Sequence, residues 1–189
     1  METKINNRTG VDFTKHELIV TEQEGLLIHR LKHPEYTHMN SVKFINTNGI
    51  MAVTGDYGNW MFCREFHPSA EGRVSSGYWC EKLHIASSQN GYEFDSEGTR
   101  EEIQYGIEKG LEEYGYTGEE LEEAKEYYEY LLNYVDESEW YYEANAYTEM
   151  PSFFDSEGVP NVKKVKIWLQ IVFDAFDEIC RRMKEENEV

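Results

Sequence analysis

The sequence predicts an α+β fold, a small three-stranded antiparallel sheet followed by a layer of three to five helices. Between residues 41 and 66 the apolar side chains alternate with a period of two, broken at Asn48-Gly49 and at Gly55-Asp56-Tyr57-Gly58. Beyond Gly77 the apolar spacing lengthens to three and four residues, the period of a helix with one buried face. A run of strands followed by a run of helices is the order of an α+β domain.

Taken in order, Asp12 to Val20 is compatible with a short helix or a strand, and Gly25 to His33 reads as a strand ending before Pro34. Val42 to Asn46 and Ile50 to Thr54 form a hairpin, with Asn48-Gly49 supplying the two positive φ angles of a type I′ turn. Asn59 to Phe66 is the third strand, with Trp60, Phe62 and Phe66 on one face and Arg64 among them. Tyr78 to Ile85 reads as a short helix. Thr99-x-x-Glu102 and Thr117-x-x-Glu120 are capping boxes that each open a helix. In the second, Leu121, Ala124, Tyr128, Leu131 and Val135 make a core-facing stripe. A shorter helix follows over Trp140 to Tyr147, ending before Pro151. The last helix, roughly 162 to 185, carries the strongest stripe: Val162, Val165, Leu169, Val172, Phe176, Ile179 and Met183, widened by Trp168, Ile171 and Ala175. Asn161 is its expected N-cap, and Arg181, Arg182 and Lys184 suit its C-terminal dipole.

The 189 residues fit a single domain, 1–189, with a mainly β part over 1–92 and a helical, acidic part over 93–189. Hydrophobic residues at 40% and aromatics at 14% supply more to bury than a disordered chain holds. The polar N-terminal residues do not read as a secretory signal, and nowhere do 18 apolar residues run together, so a cytoplasmic protein is expected. Three cysteines, Cys63, Cys80 and Cys180, make no disulfide framework.

Charge is the most uneven property of the chain. Of 37 carboxylates, 19 lie between Glu93 and Glu149 with only Arg100, Lys109 and Lys125 against them, so this segment holds −16 of the total −19. It also holds 11 of the 14 tyrosines, counted from Tyr92. A surface of that sign repels nucleic acid and anionic membranes and attracts a strongly basic protein. On the helix opened by Thr117, Glu119, Glu120, Glu122, Glu123, Glu126 and Glu129 stand off the apolar stripe. At about 1.5 Å per residue they span roughly 16 Å. With Lys125 subtracted, that is a net charge about every 3 Å, over half the density of duplex DNA, which carries one per roughly 1.7 Å. Like charges four apart, such as Glu119 with Glu123, cost about 0.2–0.5 kcal/mol each. Each tyrosine of the segment, such as Tyr114 or Tyr128, taken singly reads as a packing residue. Exposed ones among carboxylates would offer contact area and cation–π faces, and Tyr127 and Tyr130 are placed with the six glutamates as the expected partner-binding set.

Two equal spacings, Cys63-x3-His67 and Cys80-x3-His84, hold residue types that suit tetrahedral zinc and define the alternative, a metal-dependent enzyme or accessory factor. The spacings match no common zinc finger, and a strand holding Cys63 need not turn it toward His67. No nucleophile elbow, P-loop, HExxH or GxGxxG occurs. A protein without catalytic residues or cofactor is therefore expected, the further alternative being an interaction module whose acidic face only keeps it soluble.

Over Phe44 to Ser69 and Gly77 to Leu83 the chain resembles small proteins of phages and other mobile elements, a class that includes anti-CRISPR proteins. The likeness covers under a quarter of the residues, and the acidic segment lies outside it. It implies an inhibitor that acts in the host cytoplasm on a basic partner such as a Cas effector, as a surrogate of DNA, with no catalytic residue carried over.

Overall fold

The structure, a computed structural model, describes residues 9–35, 40–68, 75–86, 91–133, 135, 160 and 162–187. In chain order the elements are β1 (Glu17–Gln23), β2 (Leu26–Lys32), β3 (Val42–Thr47), β4 (Ile50–Gly55), β5 (Trp60–Phe62), α1 (Ser76–Lys82), β6 (Leu83–Ala86), β7 (Tyr92–Phe94), α2 (Ser96–Tyr105), a π-helical turn (Gly106–Gly110), α3 (Leu111–Glu113), α4 (Gly118–Leu131), β8 (Lys163–Val165) and α5 (Ile167–Asn187). The fold is α+β, but its sheet has six strands in the order β1-β2-β3-β4-β5-β6, all antiparallel, not the three expected. The predicted hairpin and third strand are its middle, and Asn48 and Gly49 both take positive φ, 47° and 84°, as the type I′ turn requires.

The chain forms two compact units, residues 1–91 with 165–189, and residues 92–164. The boundary near 92 coincides with the expected end of the β-rich part, but the last helix belongs with the sheet. In this first unit the core face of the sheet is set by register: Leu31 lies opposite Val42, Phe44 opposite Val53, and Met51 opposite Phe62. All six are buried, and with them pack Leu169, Val172, Phe173, Phe176 and Ile179 of α5. From α1, whose N-cap Ser75 accepts from the Tyr78 N–H, Trp79 enters the same core and stacks on Phe66 with centroids 3.9 Å apart and planes 7° from parallel. Phe66 is steered there by Asn46, 2% exposed, whose amide donates to the Phe66 carbonyl at 2.7 Å and accepts from its N–H at 3.1 Å. A side chain thus replaces a strand partner where β5 ends.

Two helix starts differ from the sequence reading. Helix α5 begins at Ile167, because Lys163–Val165 pairs with β7 as a strand. Val162 and Val165 therefore lie outside the helix, and Trp168, 55% exposed, is off its buried stripe. Thr99 caps nothing: α2 starts at Ser96 after Asp95, and the buried Thr99 hydroxyl accepts from the Val162 N–H at 3.0 Å. Thr117 does stand at the N-cap of α4, without a side-chain capping bond. The helix expected over 140–147 and the Asn161 cap lie outside the described residues.

The second unit has its own core of Ile103, Leu111, Ala124, Tyr127, Tyr128, Leu131 and Val135. Its π-helical turn places Gly106 directly against the ring of Tyr128, where an added Cβ would meet Cε2 at 2.4 Å and Cδ2 at 2.7 Å. Gly106→Ala is expected to lower stability by about 1–3 kcal/mol, read as a shift in the midpoint of urea unfolding, because the buried ring must move aside. An unshifted midpoint would show that the ring yields freely.

A candidate protein-binding face on the acidic helical unit

Helix α4 sorts its side chains by period. Ala124, Tyr127, Tyr128 and Leu131 are buried, and Leu121 is half-buried. Glu119, Glu120, Glu122, Glu123, Glu126 and Glu129 are all exposed. Glu119, Glu123, Glu126 and Tyr130 succeed one another at four, three and four residues and so form one row along the helix; Glu122, Glu126 and Glu129 form a second. Among the described residues none of the six glutamates is drawn into an ion pair. Lys125, the one cation of the helix, turns instead to Glu112 of α3, Nζ to Oε1 3.2 Å.

The surrounding elements add charge of the same sign. Glu97, Glu101 and Glu102 of α2, Glu108 of the π-helical turn, and Glu112 and Glu113 of α3 are exposed. Residues 92–133 hold 14 carboxylates against Arg100, Lys109 and Lys125, so the described elements carry most of the acidic field; the other five acids, at 136–149, lie outside the described residues. Lys109 is itself engaged, its Nζ 5.5 Å from the centroid of the Tyr105 ring. Arg100 donates to the Leu132 carbonyl at 3.2 Å.

The tyrosines divide differently from the expectation. Tyr127, expected at the binding face, is 4% exposed and packs into the core of this unit, and Tyr130 is half-buried. Among the described residues the exposed tyrosines of this unit are Tyr114, 73% exposed, Tyr105, 38%, and Tyr92, 36%. Tyr105 donates to Glu113 Oε2 at 2.6 Å, and that bond, with the neighbouring carboxylates, raises its hydroxyl pKa. Burial pushes Tyr128 up further. The Tyr114-Gly115 pair is the signal that would have found the exposed ring. Gly115, at φ 98°, donates to the Glu112 carbonyl, and Tyr116 donates to that of Leu111, the pattern of a helix end closed by a left-handed residue. Tyr114 is thereby left at the helix terminus, where no turn covers it.

The Cys/His constellation is not assembled. Cys63 and His84 are exposed, Cys80 is buried in the core of the first unit, and His67 pairs with Glu65, Nε2 to Oε2 3.0 Å. Among the described residues no three His, Cys, Asp or Glu side chains are grouped to hold a metal ion. The reason is local: Cys63 follows the end of β5 and meets solvent, while Cys80 of α1 is buried in the core. Among the described residues no helix is long and apolar enough to cross a membrane. Comparison with protein-family models, curated proteins and solved structures finds no match.

Proposed function

We propose that the chain is a non-enzymatic inhibitor whose acidic helical unit occupies the nucleic-acid-binding surface of a basic partner, a CRISPR-Cas effector being the partner to which the sequence resemblance points. The observation that carries this reading is the pair of exposed carboxylate rows on α4, left without cations although Lys125 is at hand to neutralise one. Rows of like charge oppose helix formation, and a solubilising surface gains nothing from segregating its sign. Association with such a partner is expected to be fast and to weaken steeply with salt, because the attraction acts over a screening length of about 8 Å at physiological ionic strength. Nucleic acid should compete.

A partner captured from host lysate and identified by mass spectrometry supplies the assay. Replacing Glu119, Glu122, Glu123 and Glu126 together by Gln keeps helix propensity and removes four charges. Folding is expected to be unharmed or slightly improved, and affinity for the partner to fall by at least about tenfold. A variant that binds and inhibits as the parent does would end the surrogate reading.

A further inference from the structure

The segment Thr9–His16, ahead of β1, is held against α5 by a row of polar side chains on that helix. Asp174, Glu178 and Arg182 follow one another at four-residue intervals, and Asp174 and Glu178 are 6% and 4% exposed. Asp174 Oδ2 accepts from the Thr9 N–H at 3.0 Å and from its hydroxyl at 2.8 Å. Arg182 donates to the carbonyls of His16 at 2.7 Å, Phe13 at 2.8 Å and Thr14 at 3.1 Å, and through Nε to Glu178 at 2.7 Å. Between these anchors Phe13 is buried, against His16 and Tyr57. The segment is a strap. It shares no ladder hydrogen bond with the sheet, whose first pairing is Glu17 with Lys32.

His16 closes the strap and is 4% exposed. Its Nε2 lies 2.8 Å from the Asn40 carbonyl oxygen, so Nε2 carries the hydrogen and Nδ1 holds the lone pair. That Nδ1 is buried and, among the described residues, has no hydrogen-bond partner. A second proton must go there, where none of the described residues accepts its hydrogen bond. The groups that face the ring are unfavourable to it as well: Arg182 from α5, gripping the same residue's carbonyl, and the His33 ring after β2, at 5.2 Å. Among the described residues the carboxylate acting on it is Asp12 of the strap itself, already engaged by the Thr14 N–H and hydroxyl at 2.8 and 2.6 Å. Tyr57 and Asn40 bond to each other and carry no charge.

We propose that His16 is an acid-operated latch, and that protonating its ring frees the Thr9–His16 strap from α5 while the sheet stays paired. Burial lowers the imidazole pKa in the closed state, with Arg182 and His33 acting in the same direction and the Asn40 hydrogen bond opposing them without reversing the shift. The open strap binds the proton at the ordinary histidine value of about 6.5. Closure is therefore fully stabilised above that value and lost progressively as the pH falls below it toward the lowered one. His29 is a second buried imidazole with lowered pKa, but it lies inside β2, opposite Phe44, so its protonation strains the ladder and not the strap.

Amide hydrogen exchange of the full chain between about pH 7.5 and pH 5, corrected for the intrinsic rate, separates these events. Peptides covering 9–16 are expected to exchange about tenfold faster at the acid end while those covering 42–55 keep their protection. His16→Gln, which can still donate to Asn40 but takes no proton, should abolish that step. Protection of 9–16 that survives at acid pH, an unchanged step in H16Q, or simultaneous opening of 42–55 would each overturn the latch. Should H16Q not fold, the ring titration of His16 in the natural chain by NMR decides. A midpoint shared with the exchange step supports the latch, and one about a full pH unit away overturns it.

Discussion

Phe176→Ala is expected to cost about 3–5 kcal/mol in urea unfolding, the largest effect of any single truncation considered for this chain. Phe176 is 1% exposed on the face of α5 that covers the sheet. Its ring meets Trp79 edge-on at 4.7 Å and Phe66 edge-on at 6.0 Å, and lies tilted against Phe44 at 5.6 Å. Four aromatic rings from β3, the segment after β5, α1 and α5 thus pack together, and stiff rings close poorly over the space a truncation leaves. A loss below about 1 kcal/mol would mean that the helix is not the central element of the first unit.

Glu178→Ala should come next, at about 3 kcal/mol, near the lower bound for breaking a buried ion pair because its cations can rehydrate. Glu178 accepts from Arg181 at 2.7 and 2.9 Å and from Arg182 at 2.7 Å, one side chain 3% exposed between two that are 30% and 18% exposed. Burial raises its carboxyl pKa, but the hydrogen bonds and charges of the two arginines outweigh burial and hold it below the usual range. The unfolded chain then takes up protons that the folded chain refuses. Stabilisation from this group is present at neutral pH and lost as the pH falls through the lowered value, so E178A should also flatten the acid limb of a stability profile. An acid limb that stays as steep would place its origin in other carboxylates.

The strands read into the sheet were those with strict alternation and a specific turn, and those left out of it lacked one or the other. In β1, the edge strand, only the adjacent Leu18 and Ile19 are half-buried and five of seven residues, Val20 among them, are exposed, so no alternation shows. β2 was read as a strand over Gly25 to His33 but not as part of the sheet: His29 and Leu31 are buried while Leu26, Leu27 and Ile28 run together, which hides the alternation that the register reveals. β6 follows α1 with no breaking residue: Lys82 ends the helix and Leu83 is already extended at ψ 121°, so a helix was read straight through it. The buried stripe of α5 was legible because Leu169, Val172, Phe176 and Ile179 keep the helical period; its start was not, since Val165 fits the same period from within a strand. On α4 the six glutamates were placed correctly as exposed by period alone. Tyr127 was not, because a stripe wide enough to bury both Tyr127 and Tyr128 exceeds the narrow one read from the sequence.

The first unit is one fold written in two separated passages of the sequence, with residues 92–164 between them. While the chain is being synthesised, β1 to β6 are complete long before α5 exists. At about 5–20 residues per second their apolar face waits several seconds for the helix that covers it, and a chaperone has that interval in which to bind. The two passages nonetheless meet closely, the Lys166 N–H donating to the Gly91 carbonyl at 2.9 Å. A passage inserted at that junction can therefore change in length or charge while the strands and the helix on either side of it keep their own pairing and core.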